Sequence, residues 1–287
     1  MPRGLAQKTQ DLIDAAALIL TEIQPATVRG MCYQLFNRKL IPDMSKNSTA
    51  KVSRVLVQAR ERELIPWGWI VDETRQVELV GTWRDPERFM RSVSHSYRKD
   101  RWADQPSRVM VVSEKGTVGG VLRPITERYG IPFQVFHGFG SATALNDLAD
   151  RSLSGGRPLV ILYVGDHDPS GRYMSDHDLS QRLDRYGGYA QIERVAVTAS
   201  HITAHDLMTF SAREKTTDAR HDWFVDRYGQ TCCELDALNP NVLRGLVEDA
   251  IVARLDREAW DRAEDMQAVE MASIADFIRS YPGTAST

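Results

Sequence analysis

The sequence predicts an α/β protein: a helical front segment, a parallel sheet behind it and a helical C-terminal part. Three observations carry that reading. Apolar residues recur at helical spacing over three successive stretches between residues 5 and 65. From residue 108 onward, short apolar runs alternate with amphipathic stretches in a repeated strand–helix order. One of those runs, Leu159 to Val164 within "RPLVILYVGDHDPSG", is apolar throughout, as a strand covered on both faces requires.

The first helix is expected over residues 5–22, with Leu5, Leu12, Ile13, Ala16, Leu20 and Ile23 on its inner face and Pro25 ending it. Thr27 can cap a second, "VRGMCYQLFNRKLI", whose apolar face is Val28, Met31, Cys32, Leu35 and Phe36 and which stops at Pro42. Thr49 can cap a third, "AKVSRVLVQARERELI", closed by Pro66. "WGWIVDETRQVELVG" then reads as a short hairpin. Three helices and a hairpin describe a winged helix, whose third helix would face DNA. That helix turns Val52, Val55, Leu56 and Ala59 inward and Lys51, Arg54, Arg60 and Arg62 outward. The outer face fits a DNA-binding surface and an ordinary solvated basic side equally well.

Residues 82–107 are polar and rich in arginine, with "HSYRKDRW" at their centre, and are expected to form a linker helix. The domains expected are thus 1–81, a winged-helix DNA-binding domain, and 108–287, the parallel α/β domain with its helical extension. In the latter, "RVMVVSEKG", "IPFQVFHGFG", "RPLVILYVGDHD" and "QIERVAVT" are the strands. Gly130 closes the helix after the first of them. "NPNVLRGLVEDAIVARLDREAWDRAEDMQ" has long helical periodicity.

A chain of 287 residues can bury a sizeable core and hold two domains. No apolar run approaches the ~20 residues of a membrane span. The opening "MPRGLAQKTQDLID" lacks the apolar core of a signal peptide. Cys32, Cys232 and Cys233 have no zinc-ligand spacing, so a cytoplasmic location is expected. Charge is uneven: residues 1–108 hold 18 basic and 13 acidic residues, whereas residues 109–287 hold 18 and 26. A basic front and acidic back suit a chain that grips phosphates with one part and a metal with the other.

Asp166 and Asp168 follow the apolar strand, where ligands of parallel sheets bind. Carboxylates so close repel each other, and a hard cation such as Mg²⁺ removes the repulsion. Asp, Pro, Ser and Gly are also turn formers, so a plain turn is the competing account. Glu114 ends the first strand in "VVSEKG" and is expected at the same sheet edge. His167 is expected to point away from the aspartates. "HGFGS", residues 137–141, could cradle phosphate. Glu234 and Asp236 in "CELDAL" either extend the acidic site or lie on a surface strand, the second being the reading adopted.

Glutamate after the first strand and D-x-D after the third resembles a Toprim domain, the catalytic domain shared by topoisomerases, primases and related nucleases. "GD-x-DP-x-G" is more particular and is similar to the A subunit of topoisomerase VI and its meiotic double-strand-break relative. That family places a winged helix before Toprim, with a catalytic tyrosine in one helix and an arginine three or four residues earlier. "TVRGMCYQLF" has Arg29 and Tyr33 at that spacing, with Cys32 where the family often has an aromatic. The resemblance spans roughly residues 25–200.

It implies cleavage of double-stranded DNA by a metal-dependent transesterase. Tyr33 would be the nucleophile, assisted by Arg29 and Glu114. Mg²⁺, or Mn²⁺, would be held by Glu114, Asp166 and Asp168. Lys115 would contact phosphate, unless it is simply solvated. It further implies a homodimer in which the tyrosine of one chain meets the Toprim site of the other. No G-x-x-x-x-G-K-[ST] signature is present, so strand passage would need a separate ATPase subunit. Two other functions fit the residues. One is a Toprim nuclease in which water attacks and Tyr33 is a core residue. The other is a non-catalytic DNA-binding module, against which the full Glu-Asp-Asp set argues.

Overall fold

A computed structural model of the chain describes residues 6–71, 82–136 and 142–280. In chain order, helices α1 (Gln7–Ile23), α2 (Val28–Asn37), α3 (Lys46–Glu61) and α4 (Pro86–Ser96) precede strand β1 (Arg108–Ser113). There follow α5 (Gly119–Tyr129), β2 (Phe133–Val135), α6 (Ala142–Leu153), β3 (Leu159–Val164), α7 (Pro169–Tyr173), α8 (Leu179–Arg185), β4 (Gln191–Ala196) and α9 (Ala199–Ala204). Strands β5 (Phe210–Ser211) and β6 (Thr231–Cys232) flank α10 (His221–Tyr228), and α11 (Pro240–Val252) and α12 (Arg257–Ser280) close the chain. The fold is mixed α/β, with a four-stranded parallel sheet in the order β2-β1-β3-β4 flanked by helices. Two compact units are present: Met1–Arg75 with Val109–Ala253, and Gln76–Arg108 with Arg254–Thr287.

In the first unit, α1, α2 and α3 share a core that includes Ile13, Leu20, Met31, Leu35, Val52 and Leu56. Each such side chain contributes about 1.5–3 kcal/mol by leaving water. The inner face expected of α3 is the buried one: Val52, Val55, Leu56 and Ala59. Its start is one turn earlier than Thr49. Ser45 is the cap, its Oγ accepting from Ser48 N at 3.3 Å, while Thr49 Oγ1 donates back to the Ser45 carbonyl at 3.0 Å. Both α2 and α3 end before their prolines because the chain turns left-handed first. Lys39 has φ 58° and Glu63 φ 59°. Leu40 N then bonds Leu35 O, and Leu64 N bonds Ala59 O, each at 2.9 Å, the Schellman wrap.

The expected hairpin is only partly described. Its first arm, Trp67–Trp69, is a 3₁₀ turn rather than a strand, because Trp69 N bonds back to Pro66 O at 3.1 Å. Ile70 then bridges in parallel to Ala26. Residues 72–81, which hold the rest, lie outside the described residues, as does the 137–141 segment.

The two central strands are buried, β3 on all six residues and β1 on five, while the outer β2 and β4 are partly exposed. Met110, Val112, Leu159, Ile161 and Tyr163 pack with Leu145, Leu148, Leu179 and Leu183 of α6 and α8. Helix α11 packs against α5 and β4. Its Arg244 donates to the carbonyls of Ile23, Gln24 and Pro25, at the end of α1, and to Val121 of α5. One guanidinium thereby fastens the front helices to the sheet within this unit.

In the second unit the arginine-rich stretch finds acidic partners on α12. Lys99 pairs with Glu270 at 2.7 Å and Arg101 with Glu264 at 2.5 Å, and Trp102 meets Trp260 edge-to-face at 6.0 Å. The long C-terminal periodicity is broken between Val252 and Arg257, because Asp256 caps a new helix through Ala259 N at 3.0 Å. No helix among the described residues is long and apolar enough to cross a membrane.

Candidate active site

Because β1 and β3 are neighbours, their carboxyl ends bring Glu114 to Asp166 and Asp168. Glu114 Oε1 accepts the Asp166 backbone N–H at 3.2 Å. Asp168 is the N-cap of α7, its Oδ1 accepting from Gly171 N at 2.7 Å. The turn expected of "DHDPSG" is therefore present: one oxygen of Asp168 caps α7 and the other pairs with Lys215. Asp166 Oδ1 accepts from Leu235 N at 2.7 Å. Burial, then the charges of Asp166 and Asp168, push the Glu114 carboxyl up to about 7. Burial also raises Asp166, against the pull of Lys115.

Gly171 makes this convergence possible. A Cβ there would overlap the Asp166 carbonyl and come within 2.8 Å of Glu114 Oε1. Helix propensity alone would favour alanine by about 1 kcal/mol. Overlap against backbone costs about 1–3 kcal/mol, so it wins. Gly171→Ala should lower the urea midpoint and displace the Asp166 turn; a rise in the midpoint would contradict this account of the glycine.

Arg194, on β4, holds the turn from behind. Its guanidinium donates to the carbonyls of Gly165 at 3.1 Å, Gly171 at 3.0 Å and Val197 at 3.0 Å, to that of Asp166, and to Ser175 Oγ at 2.8 Å. A charged residue inside the apolar run "QIERVAVT" was the available signal, and sequence reasoning passed over it. His167 lies between the two aspartates in sequence and packs among aromatic rings. It is buried against Phe224 and Tyr228, with ring centroids 5.5 and 5.6 Å away, and burial lowers its pKa to about 4.

Two ammonium groups face the aspartates. Lys115 Nζ lies 2.8 Å from Asp166 Oδ1, and Lys215 Nζ lies 2.7 Å from Asp168 Oδ2. Lys115 also pairs with Asp236 at 2.9 Å and Glu234 at 3.3 Å. Glu234 and Asp236 thus extend the acidic site and do not lie on a surface strand. The two-residue β6 ends before them, and Asp236 sits in a 3₁₀ turn, Leu235–Ala237, aimed at Lys115. Burial opposes the Lys115 charge, but Asp166, Asp236 and Glu234 together hold its pKa above that of free lysine.

Among the described residues, no three His, Cys, Asp or Glu side chains form a set that could hold a metal ion as they stand. The donor chemistry nevertheless fits a hard cation. All three ligands expected from the sequence offer oxygen, they converge from adjacent strand ends, and positive charge already sits on both aspartates as ammonium. Glu114, Asp166 and Asp168 are the residues that could hold such an ion.

Arg29 and Tyr33 lie one turn apart on α2, the guanidinium carbon 5.7 Å from the Tyr33 ring centre. Arg29 pairs with Glu234, through Nε at 3.0 Å and Nη2, and with Asp236 at 3.5 Å. Both α2 residues therefore approach the sheet edge of their own chain. Tyr33 is only 5 % exposed. Burial first, and Glu234 second, push its phenol up to about 12, while Arg29 and Lys115 pull the other way.

The four cations expected to grip DNA do not share one place. Arg60 stacks on Trp67, 4.8 Å from its ring centre, and lines a groove of about 690 Å³ together with Arg29. Lys51 borders a separate hollow beside Lys8 and Asp11. Arg54 is exposed on the outer face, and Arg62 is the C-cap of α3. Comparison with known proteins returns no matching family model and no significantly similar curated sequence.

Proposed function

We propose that this protein cleaves duplex DNA in a divalent-cation-dependent transesterification, as a winged-helix and Toprim protein resembling the A subunit of topoisomerase VI. The observation that supports this most is the meeting of Glu114 with Asp166 and Asp168 at adjacent strand ends, with Arg29 linked to the same edge through Glu234 and Lys115. Mg²⁺ or Mn²⁺ held by the three carboxylates would act as a Lewis acid on the scissile phosphate.

The chain's own residues do the rest. Arg29 would bind a non-bridging phosphate oxygen and offset the charge that builds on it. Lys115 would neutralise the carboxylate side of the same site. The Tyr33 oxygen would form a bond to phosphorus as the bond to the 3′-oxygen breaks, leaving a 5′-phosphotyrosyl link. The phenol gives up its proton and the departing 3′-oxygen takes one up, so no net proton is consumed. Arg60, which lines the groove beside Arg29, would contact a flanking phosphate. The resemblance extends the proposal to a homodimer and to a separate ATPase subunit.

A second reading, a Toprim nuclease in which water attacks, is favoured by one observation. Tyr33 is buried and its phenol is harder, not easier, to ionise than a free tyrosine. Tyr33→Phe separates the two. With Mg²⁺ and duplex DNA on a denaturing gel, the wild type should leave protein covalently attached to DNA ends. The Phe variant should bind DNA and form no adduct, a loss of at least about a hundredfold. Full cleavage by the Phe variant would transfer the role to water.

A further inference from the structure

Arg29 and Lys115 belong to different parts of the chain, yet they bind the same atom. Glu234 Oε2 accepts from Arg29 Nε at 3.0 Å, from Arg29 Nη2, and from Lys115 Nζ at 3.3 Å. One oxygen held between a guanidinium and an ammonium is the arrangement in which such cations hold a phosphate oxygen. We propose that Arg29 and Lys115 form a seat for one backbone phosphate of DNA, and that Glu234 fills this seat as an internal carboxylate which DNA displaces. The proposal rests on the DNA-cleavage reading of the same site.

Two carboxylates touch both cations, and they are not equivalent. Asp236 lies 2.9 Å from Lys115 and 3.5 Å from Arg29, and its side chain is 4 % exposed. Glu234 is 25 % exposed and Arg29 48 %. Asp236 is the fixed anchor that keeps the cations together. Glu234 is the longer, more accessible arm that can swing into solvent without unpairing a buried charge. The groove beside the seat suits the incoming strand. Arg29, Lys46 and Arg60 line it with the hydroxyls of Thr49, Ser53 and Thr117, and no carboxylate among the described residues does. Thr117 Oγ1 is buried without a hydrogen-bond partner at that wall. Lys115 also pairs with Asp166, so a phosphate in the seat would stand one ammonium away from the carboxylate site.

An occupied seat makes the resting protein a weaker anion binder than its cations allow. Glu234→Gln keeps the shape and removes the competing charge. In the full chain at low salt, it should bind a fluorescent duplex of about 20 base pairs on the order of tenfold more tightly than the wild type. Asp249→Asn, which removes one exposed charge far along α11, should not. The gain should vanish in Glu234→Gln/Lys115→Met. Inorganic phosphate should raise the melting temperature of Glu234→Gln and not that of the wild type.

If Glu234→Gln does not fold, Glu234→Asp, which retracts the carboxylate by one methylene, should give a smaller gain in the same direction. If the wild type binds duplex and the folded Glu234 variant gains neither DNA affinity nor stabilisation by phosphate, the seat is overturned and the DNA reading stands. If no form binds duplex but phosphate stabilises Glu234→Gln alone, the seat stands and the DNA reading falls.

Discussion

Asp166→Ala is expected to abolish divalent-cation-dependent DNA cleavage while leaving the protein folded. The carboxylate does two things that can be separated. Its Oδ1 accepts the Leu235 N–H and pairs with Lys115, and the group faces Glu114 across the sheet edge. Truncation leaves Lys115 with Asp236 and Glu234, so no buried charge is stranded. It also removes one of three mutually repelling carboxylates, which relieves Glu114. The stability loss is therefore confined to about 1–2 kcal/mol for the hydrogen bond to Leu235. The catalytic loss is larger. On the proposed reading several kcal/mol of charge stabilisation on the phosphate would depend on the cation, which at 1.36 kcal/mol per decade is about a thousandfold or more in rate. Cleavage by Asp166→Ala within tenfold of wild type, at saturating Mg²⁺, would remove the carboxylates from the reaction.

Arg194→Met should be the most destabilising single change in the sheet. The side chain is half-buried, and its donors satisfy the carbonyls of Gly165, Asp166, Gly171 and Val197 together with Ser175 Oγ. Methionine fills similar volume but leaves those acceptors unpaired. Each acceptor left without its charged donor costs about 1–3 kcal/mol, so losing several at once removes a large part of the stability of a domain. Lysine is no remedy. One nitrogen cannot reach carbonyls on two sides as a planar guanidinium does, so Arg194→Lys should recover less than half the loss. Chemical denaturation with a shared m-value tests both. A Met variant within about 1 kcal/mol of wild type would show that the carbonyls find other donors.

Much of the sheet and part of the site could be read directly from residue order. The apolar run from Leu159 to Val164 has no alternation to blur its ends and is β3 residue for residue. Placing Glu114 beside Asp166 needed only that two such strands be neighbours. The inner face of α3 followed from spacing alone. Other features depend on partners that no local pattern names. Ser45 and Thr49 are hydroxyls one turn apart, and only the backbone shows which one caps. The break before α12 is invisible because apolar spacing continues through it while Asp256 starts a new helix. Glu234 and Asp236 were misplaced because their position is set by contacts with Lys115 and Arg29, 119 and 205 residues distant from Glu234. Arg194 carried a visible oddity, a charge within a strand, but its value lies in carbonyls brought together by three separate segments.

The Arg244 bond set has a practical bearing on how the chain can be cut. The guanidinium that closes the open carbonyls after α1 arrives about 220 residues later in synthesis. An expression boundary drawn after the front helices would strand those acceptors and strip α2 of the Glu234 carboxylate that orders Arg29. A ribosome-bound nascent chain faces the same deficit. The front helices emerge first, but their final seating waits for α11 to leave the exit tunnel. Binding measured on such a fragment would report loosened helices, not the surface that the whole protein presents.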